Sequence, residues 1–182
     1  DDGESDEVRD MARKLKVGYI RRPVHDHAKA GNINYALSKT KGALFAIIDA
    51  DFVAKPEFLY EVVPFFEDRT LAFVQTPQYY GNDNNFVSIA AGYMQHVFYS
   101  MVMAGKNRFN AAFCVGTNVM FRRSAIKDIG GIYEGSKSED IWTAMMLHER
   151  GWRSVYINRV LAVGKTPETF KAYAKQQLRW AT

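Results

Sequence analysis

Short apolar runs that alternate with helix-forming stretches constrain the fold of this chain more than any other feature of its sequence. Runs typical of β-strands occupy residues 16–20, 44–48, 71–75, 118–121 and 154–157. Helical patterns separate most of these runs, over residues 27–37, 56–66, 86–104 and 138–150. Because strands that alternate with helices are typical of βαβ units, the sequence predicts an α/β fold with a mainly parallel, doubly wound sheet and flanking helices.

Two helix ends carry residues that commonly cap helices. Gly151 follows the helical pattern at 138–150, and a glycine just past the last turn commonly ends a helix. Thr166 is predicted to cap one further helix, with Pro167 in its first turn.

The composition is typical of a globular domain with a hydrophobic core. Of the 182 residues, 47% are hydrophobic and 24% are charged, which excludes intrinsic disorder, a collagen-like repeat and a coiled coil as the overall class. This length fits one domain over residues 1–182. The single cysteine, Cys114, excludes a disulfide framework and a cysteine-based zinc cluster.

Charge and hydropathy also limit the partners of the chain. The formal net charge is +4, and adjacent arginines occur only at 21–22 and 122–123. A nucleic-acid-binding protein gathers its basic residues into one stripe, so we expect no nucleic-acid partner. The longest weakly polar stretch, 86–104, is interrupted by Gln95 and His96, which favours a buried or membrane-surface amphipathic helix over a membrane span.

Two carboxylates, Asp49 and Asp51, follow the most apolar of the predicted strands. In doubly wound sheets, ligands bind beyond the carboxyl ends of the strands. Carboxylates two residues apart at such a position can face one hard cation, and Mg²⁺ or Mn²⁺ prefers oxygen ligands and phosphate partners. A bare Asp-x-Asp is more commonly a solvated turn, but this one is unique in the chain and follows a buried run.

Three further segments carry groups suited to a phosphorylated sugar. The first, 138–140, reads SED and opens a predicted helix, where acidic residues commonly act as caps. The second, 176–180, reads QQLRW; its guanidinium suits a diphosphate, and its indole can stack on a sugar ring. The third, 27–34, reads HAKAGNIN, in which small residues allow close approach and Lys29 offers a point charge to phosphate. Each signal is weak when taken alone.

In this order and spacing, DDG at 1–3, HAKAGNINYAL at 27–37, DAD, QTP at 75–77, SED and QQLRW resemble the processive family 2 glycosyltransferases of the cellulose synthase type. The resemblance covers essentially the whole chain. It implies a GT-A nucleotide-diphospho-sugar transferase fold. It also implies inverting, metal-dependent transfer of a sugar, with glucose the favoured donor sugar, from a UDP-sugar to the non-reducing end of a growing β-linked polysaccharide.

The same resemblance implies a cofactor and a cellular setting. The cofactor would be Mg²⁺ or Mn²⁺. The domain would be the central part of a longer plasma-membrane (inner-membrane) protein, lie between its transmembrane helices and face the cytosol.

The resemblance also implies roles for individual residues. The general base would be Asp140, and the metal ligands would be Asp49 and Asp51. The nucleotide-sugar would be bound by Asp1, Asp2, Lys29, Asp49 and Arg179. The acceptor would be bound by Glu139, Gln176, Trp180, Gly116 and Thr117. We further expect Asp140 to be ionised at neutral pH, because a helix N-terminus and nearby basic groups favour the charged form.

The acceptor-side motif departs from the family pattern. Cellulose synthases carry FFCGS there, whereas residues 113–117 read FCVGT, which keeps the glycine and a small hydroxyl but places Val115 where the cysteine falls. Ser138 replaces the more usual threonine. The departures leave other donors open, namely UDP-N-acetylglucosamine or another UDP-sugar. A non-catalytic nucleotide-sugar- or polysaccharide-binding module is the alternative of a different class.

Overall fold

Seven strands form two sheets within residues 1–82 and 84–181, the part of the chain that the computed structural model describes. The first sheet contains, in spatial order, β1 (Leu44–Ile47), β5 (Val119–Arg122), β3 (Leu71–Gln75) and β6 (Arg153–Tyr156). The second sheet contains β2 (Phe52–Ala54), β7 (Ala162–Gly164) and β4 (Tyr79–Tyr80).

Helices connect and flank these strands. They are α1 (Asp6–Lys14), α2 (Ala28–Lys39), α3 (Phe58–Val62), α4 (Phe86–Val97), α5 (Ala104–Asn107), α6 (Arg123–Asp128), α7 (Glu139–Glu149) and α8 (Phe170–Ala181). A 3₁₀ turn at Val63–Glu67 extends α3, and a π-helical stretch at Phe98–Met103 joins α4 to α5. Within the described residues, no helix combines the length and apolar character that crossing a membrane requires.

The α/β class is confirmed, but the prediction of a mainly parallel sheet is wrong. β3 runs parallel to β6 and β4 parallel to β7, whereas β5 runs antiparallel to both β1 and β3, and β2 antiparallel to β7. Alternation of strands and helices does not fix the direction in which the chain re-enters a sheet. After α4 and α5 the chain returns at the end where β3 left, so that Val119 pairs with both Gln75 and Ile47.

The two central strands of the first sheet, β5 and β3, are buried on both faces. Successive strand residues point to opposite faces, so Phe73 and Phe121 pack in one core cluster with Leu147 of α7, while Val74 and Met120 pack in another. The central strand residues therefore supply the core. Polar side chains such as Asp49, Asp51 and Gln78 lie on the residues that follow the strands, at one rim of the domain.

Two predicted local features are wrong. Residues 16–20 form no strand pairing within the described part of the chain; Lys16 has a left-handed backbone (φ 54°), which turns the chain at the end of α1. Thr166 does not cap a helix: its hydroxyl is buried without a hydrogen-bond partner among the described residues, while its amide and carbonyl bond the Asn82 side chain. The helix begins at Phe170, where the Thr169 hydroxyl accepts a hydrogen bond from the third following amide.

Candidate active site

A cleft of about 700 Å³ opens at one rim of the domain, where β1 ends, α7 begins and α8 ends. Residues from four segments singled out in the sequence line it together: Lys29, Asp49, Asp51, Glu139, Asp140, Gln176, Arg179 and Trp180. Segments that lie far apart in sequence therefore meet around one cavity of the size that small ligands occupy.

Asp49 and Asp51 differ in their surroundings. The Asp49 amide donates a hydrogen bond to the Thr117 hydroxyl at 2.9 Å. The Lys29 ammonium donates to Oδ1 of the Asp49 carboxylate at 2.5 Å. Asp51 is exposed, and within residues 1–82 and 84–181 its carboxylate has no hydrogen bond or ion pair. One carboxylate is thus neutralised by a lysine, and the other is open to the cleft.

These carboxylates fit a divalent cation whose coordination is completed by a phosphate group. In the described part of the chain, no three His, Cys, Asp or Glu side chains are grouped closely enough to hold a metal by themselves. Mg²⁺ is commonly held by one or two carboxylates and completes its coordination with water and substrate phosphate. Asp49 and Asp51 supply such a pair of hard oxygen donors on the cleft wall.

Glu139 and Asp140 begin α7 and also line the cleft. The Ile141 amide donates to Asp140 Oδ1 at 2.8 Å. Burial nevertheless raises the pKa of Asp140 and that of Glu139, and for Asp140 this effect outweighs the Ile141 hydrogen bond and the Lys29 charge, which both lower it. Desolvation therefore sets the direction of the pKa shift of Asp140, and the helix N-terminus and Lys29 only reduce it, while the ionisation of Asp140 at neutral pH stays a prediction.

Gly116 lies where Lys29 and Asp140 approach each other. Its φ of +80° is in the left-handed region, and a Cβ atom there would lie 3.3 Å from both Lys29 Nζ and Asp140 Oδ2. Glycine thus provides both the backbone conformation and the space. Gly116 and Thr117 therefore lie directly behind the groups that line the cleft.

The last wall of the cleft is a face of α8. Tyr173, Gln176 and Trp180 line the cleft at spacings of three and four residues, which places them on one side of the helix, and Arg179 joins them. The Trp180 side chain is 41% exposed, which leaves part of the indole accessible from the cleft.

Asp1 and Asp2 do not line this cleft. Asp2 forms a two-contact ion pair with Arg22 (2.5 and 2.7 Å), which holds the pKa of Asp2 below its usual value. Arg22 is only 4% exposed and also donates to the Ala28 carbonyl at the first residue of α2. Asp2 is thus tied through Arg22 to the start of the helix that carries Lys29.

Several cleft residues were not anticipated from the sequence. They are Gln78, Tyr80, Lys137, Lys165 and Tyr173. The Tyr80 hydroxyl donates to Gln78 Oε1 at 3.1 Å, and burial, together with the nearby Asp51 and Asp49 charges, raises the pKa of Tyr80. Gln78 and Tyr80 come shortly after β3, so their position beyond a buried strand is the signal that could have found them.

The sequence is similar to a described family and to several curated proteins. A family model described as "Glycosyltransferase like family 2" matches residues 2–182. The chain is 43% identical over 175 residues to a UDP-forming cellulose synthase of Dictyostelium discoideum, covering 91% of this chain and 16% of that protein. It is 35% identical over 187 residues to a UDP-forming cellulose synthase of Pseudomonas fluorescens, covering 100% of this chain and 25% of that protein. Both relatives are named as catalytic subunits, and the chain spans a quarter or less of their length.

Two solved structures resemble the fold. PcManGT, a mannosyltransferase from Pyrobaculum calidifontis in complex with GDP-Man and Mn²⁺, gives a TM-score of 0.72 at 20% identity, covering 100% of this chain and 49% of that one. TarS of S. aureus in complex with UDP-GlcNAc gives 0.64 at 14% identity, covering 93% and 49%. These likenesses confirm the expected GT-A fold.

Proposed function

Because the chain belongs to the glycosyltransferase like family 2, we propose that its cleft transfers a sugar from a UDP-sugar to the non-reducing end of a growing β-linked polysaccharide. The favoured donor is UDP-glucose, and the transfer inverts the anomeric centre. The observation that carries the proposal is that Asp49, Asp51, Asp140, Arg179 and Trp180 line one cleft together. The relatives named cellulose synthase support the cellulose-like product.

We also propose a setting for the domain. The chain spans a quarter or less of its relatives, and we infer that it is the catalytic part of a longer membrane protein. Its flanking transmembrane helices would hold the domain at the cytosolic side of the plasma membrane.

On the donor side of the cleft, Asp49 and Asp51 would hold the divalent cation. A bound cation neutralises negative charge on the diphosphate and so favours departure of UDP. Lys29 and Arg179 would bind the diphosphate, one as a point charge and the other as a planar fork of donors. Asp1 and Asp2 would contact the uridine of the nucleotide-sugar.

On the acceptor side, Asp140 would act as the base. Inverting transfer is a single displacement in which an acceptor hydroxyl attacks the anomeric carbon and UDP leaves from the opposite face. The hydroxyl loses its proton during the attack, so a carboxylate must lie near it. Trp180 would stack on the terminal sugar, while Glu139, Gln176 and the segment with Gly116 and Thr117 would orient it.

The raised pKa of Asp140 predicts the pH dependence of the reaction. A base must be deprotonated, so kcat/KM should rise as the pH increases through the pKa of Asp140, and this acidic limb should lie above the ordinary carboxyl value of 3.8. The measurement is kcat/KM for UDP release against pH. The residual activity of Asp140→Asn should lack this limb, whereas a limb at or below the ordinary value would contradict the assignment.

The proposed acceptor platform predicts a selective loss in Trp180→Ala. Removing the indole should cut polymer synthesis while UDP affinity and hydrolysis of the UDP-sugar by water stay near normal, because stacking orients the acceptor and not the donor. Trp142→Ala is a matched control, since Trp142 is 46% exposed and lies outside the residues that line the cleft. Equal losses of hydrolysis and polymer synthesis in Trp180→Ala would remove the platform role.

The donor can be identified with the full-length protein in membranes. Each member of a panel of radiolabelled UDP-sugars is supplied with Mg²⁺, and the polymer is analysed by linkage and by digestion with specific glycanases. The proposal expects incorporation from UDP-glucose into a β-linked glucan. Incorporation from UDP-N-acetylglucosamine alone would keep the transferase class and replace the donor.

A further inference from the structure

The side-chain amide of Gln75 is fully buried and hydrogen-bonds to a loop that contacts both Asp49 and Asp140. Gln75 ends β3 and is 0% exposed. Its Nε2 donates to the carbonyl oxygens of Thr117 (2.9 Å) and Asn118 (3.2 Å), and its Oε1 accepts from the Val115 amide (3.0 Å). These bonds are made to residues 114–118, which we call the connecting loop.

The connecting loop reaches the metal side of the cleft through Thr117. The Thr117 hydroxyl, 1% exposed, accepts the hydrogen bond of the Asp49 amide at 2.9 Å. The Asp49 carboxylate in turn contacts Lys29. The position of the loop therefore fixes the position of the first carboxylate of the proposed metal site.

The same loop reaches the acceptor side through two other residues. The Cys114 thiol donates to the main-chain carbonyl of Asp140 at 2.9 Å. A Cβ atom on Gly116 would lie 3.3 Å from the Asp140 carboxylate. The loop thus bonds the main chain of the proposed base and leaves no room for a side chain between Gly116 and its carboxylate.

The loop cannot hold this shape by backbone preference alone. Gly116 and Asn118 both have left-handed backbones, with φ of +80° and +53°, and a non-glycine residue in that region is strained unless its surroundings impose it. Gln75 offers both a donor and an acceptor to the loop, and an unpaired buried peptide group would cost free energy. A side chain of the same size without polar atoms would remove these bonds from the Val115 amide and the Thr117 carbonyl, whereas the Asn118 carbonyl would keep its bonds from the amide and hydroxyl of Thr76.

We propose that Gln75 is a positioning residue for sugar transfer, which holds the connecting loop so that Asp140 is set at a fixed place relative to Asp49. The proposal rests on the proposed function, since it concerns the alignment of the base with the donor. Gln75 itself touches neither substrate; it acts through the loop.

The test is a double-mutant cycle on the full-length protein in membranes, read as kcat for UDP release at saturating UDP-glucose. Gln75→Met should lower kcat by about 10- to 100-fold, the cost of a displacement near 1 Å in an aligned site. In the Asp140→Asn background the same substitution should lower kcat less than about threefold, because residues that act as a unit are not additive. A purely structural role would lower the rate equally in both backgrounds.

Two further variants complete the cycle. Asn107→Leu is the matched control, because the Asn107 side chain also bonds a main-chain group, the amide of Tyr156, but lies outside the cleft lining and outside the motifs; it should leave kcat unchanged. Gln75→Glu is the conservative variant. If Gln75→Met does not fold, the double-mutant cycle with Asp140→Asn is measured with Gln75→Glu instead. Burial should keep its carboxyl protonated, so that it retains the Val115 bond and one donor, and its kcat should lie between those of the wild type and Gln75→Met.

The outcomes separate this inference from the proposed function. Equal losses in the two backgrounds, or no loss in folded Gln75→Met, would overturn the positioning role and leave the transferase untouched. Absence of UDP release from the wild-type protein would overturn the proposed function, and the positioning role with it.

Discussion

Asp140→Asn should lower the kcat of sugar transfer by about 10²–10⁴-fold, the usual contribution of a positioned base, while UDP affinity and folding stay intact. Asparagine has nearly the same shape as aspartate, and its Oδ1 can still accept the hydrogen bond that the Ile141 amide donates. The substitution therefore preserves the helix start and removes only the basicity. The readouts are initial rates of UDP release and polymer formation, with UDP affinity measured in parallel.

The same variant separates a catalytic base from a helix cap. Acidic residues in the first turn of a helix stabilise it through the helix dipole, and Asp140 occupies such a place. If Asp140 serves only as a cap, Asp140→Asn should keep activity within about tenfold of the parent, below the range of a positioned base. That result would remove the mechanism assigned to this cleft.

Asp51→Asn should abolish transfer and weaken Mg²⁺-dependent UDP binding together. The Asp51 carboxylate is open to the cleft and lacks a hydrogen bond or ion pair within the described residues, so the substitution breaks no such contact there. We expect the Mg²⁺-dependent gain in UDP affinity to fall at least about tenfold, since even outer-shell changes cost that much at metal sites. Calorimetric titration of UDP with and without Mg²⁺ measures it.

Asp26→Asn is the matched control for this experiment. Asp26 is an exposed aspartate outside the cleft lining, so its loss removes the same charge without touching the proposed metal site. It should leave Mg²⁺-dependent UDP binding unchanged. Unchanged Mg²⁺-dependent affinity in Asp51→Asn would exclude Asp51 as a ligand.

The strands of the first sheet could be predicted from the sequence because burial leaves a plain pattern. β3 lies at its predicted bounds, 71–75, since all five of its residues are buried and the run is continuous. The second sheet could not be predicted in this way. β2, β4 and β7 have two or three residues each, too few to show a period, and they are held by pairing with one another.

Strand direction also depends on tertiary structure. The run at 118–121 predicts a strand, but no local feature states that β5 enters between β1 and β3 in the antiparallel sense. That arrangement brings the connecting loop beside Asp49, and it is therefore the part of the fold that assembles the cleft.

The residues of the candidate site could be predicted better than their electrostatics. The motifs identify the charged and aromatic side chains of the candidate site, and most of these side chains line the cleft. The pKa of Asp140 could not be predicted, because it depends on burial by segments distant in sequence. Gln75 lies in the QTP segment, but its role depends on hydrogen bonds to residues about 40 positions away, with sequence separations of 40 to 43.

Counting UDP released per molecule of full-length protein, in membranes with Mg²⁺ and UDP-glucose, tests most directly whether this cleft catalyses transfer. The account predicts continuous UDP release that exceeds the amount of protein, matched by glucose incorporated into a β-linked polymer, and a collapse of both rates in Asp140→Asn. UDP-glucose that binds in the presence of Mg²⁺ but is not turned over by the wild-type protein would contradict the account and identify a binding module instead.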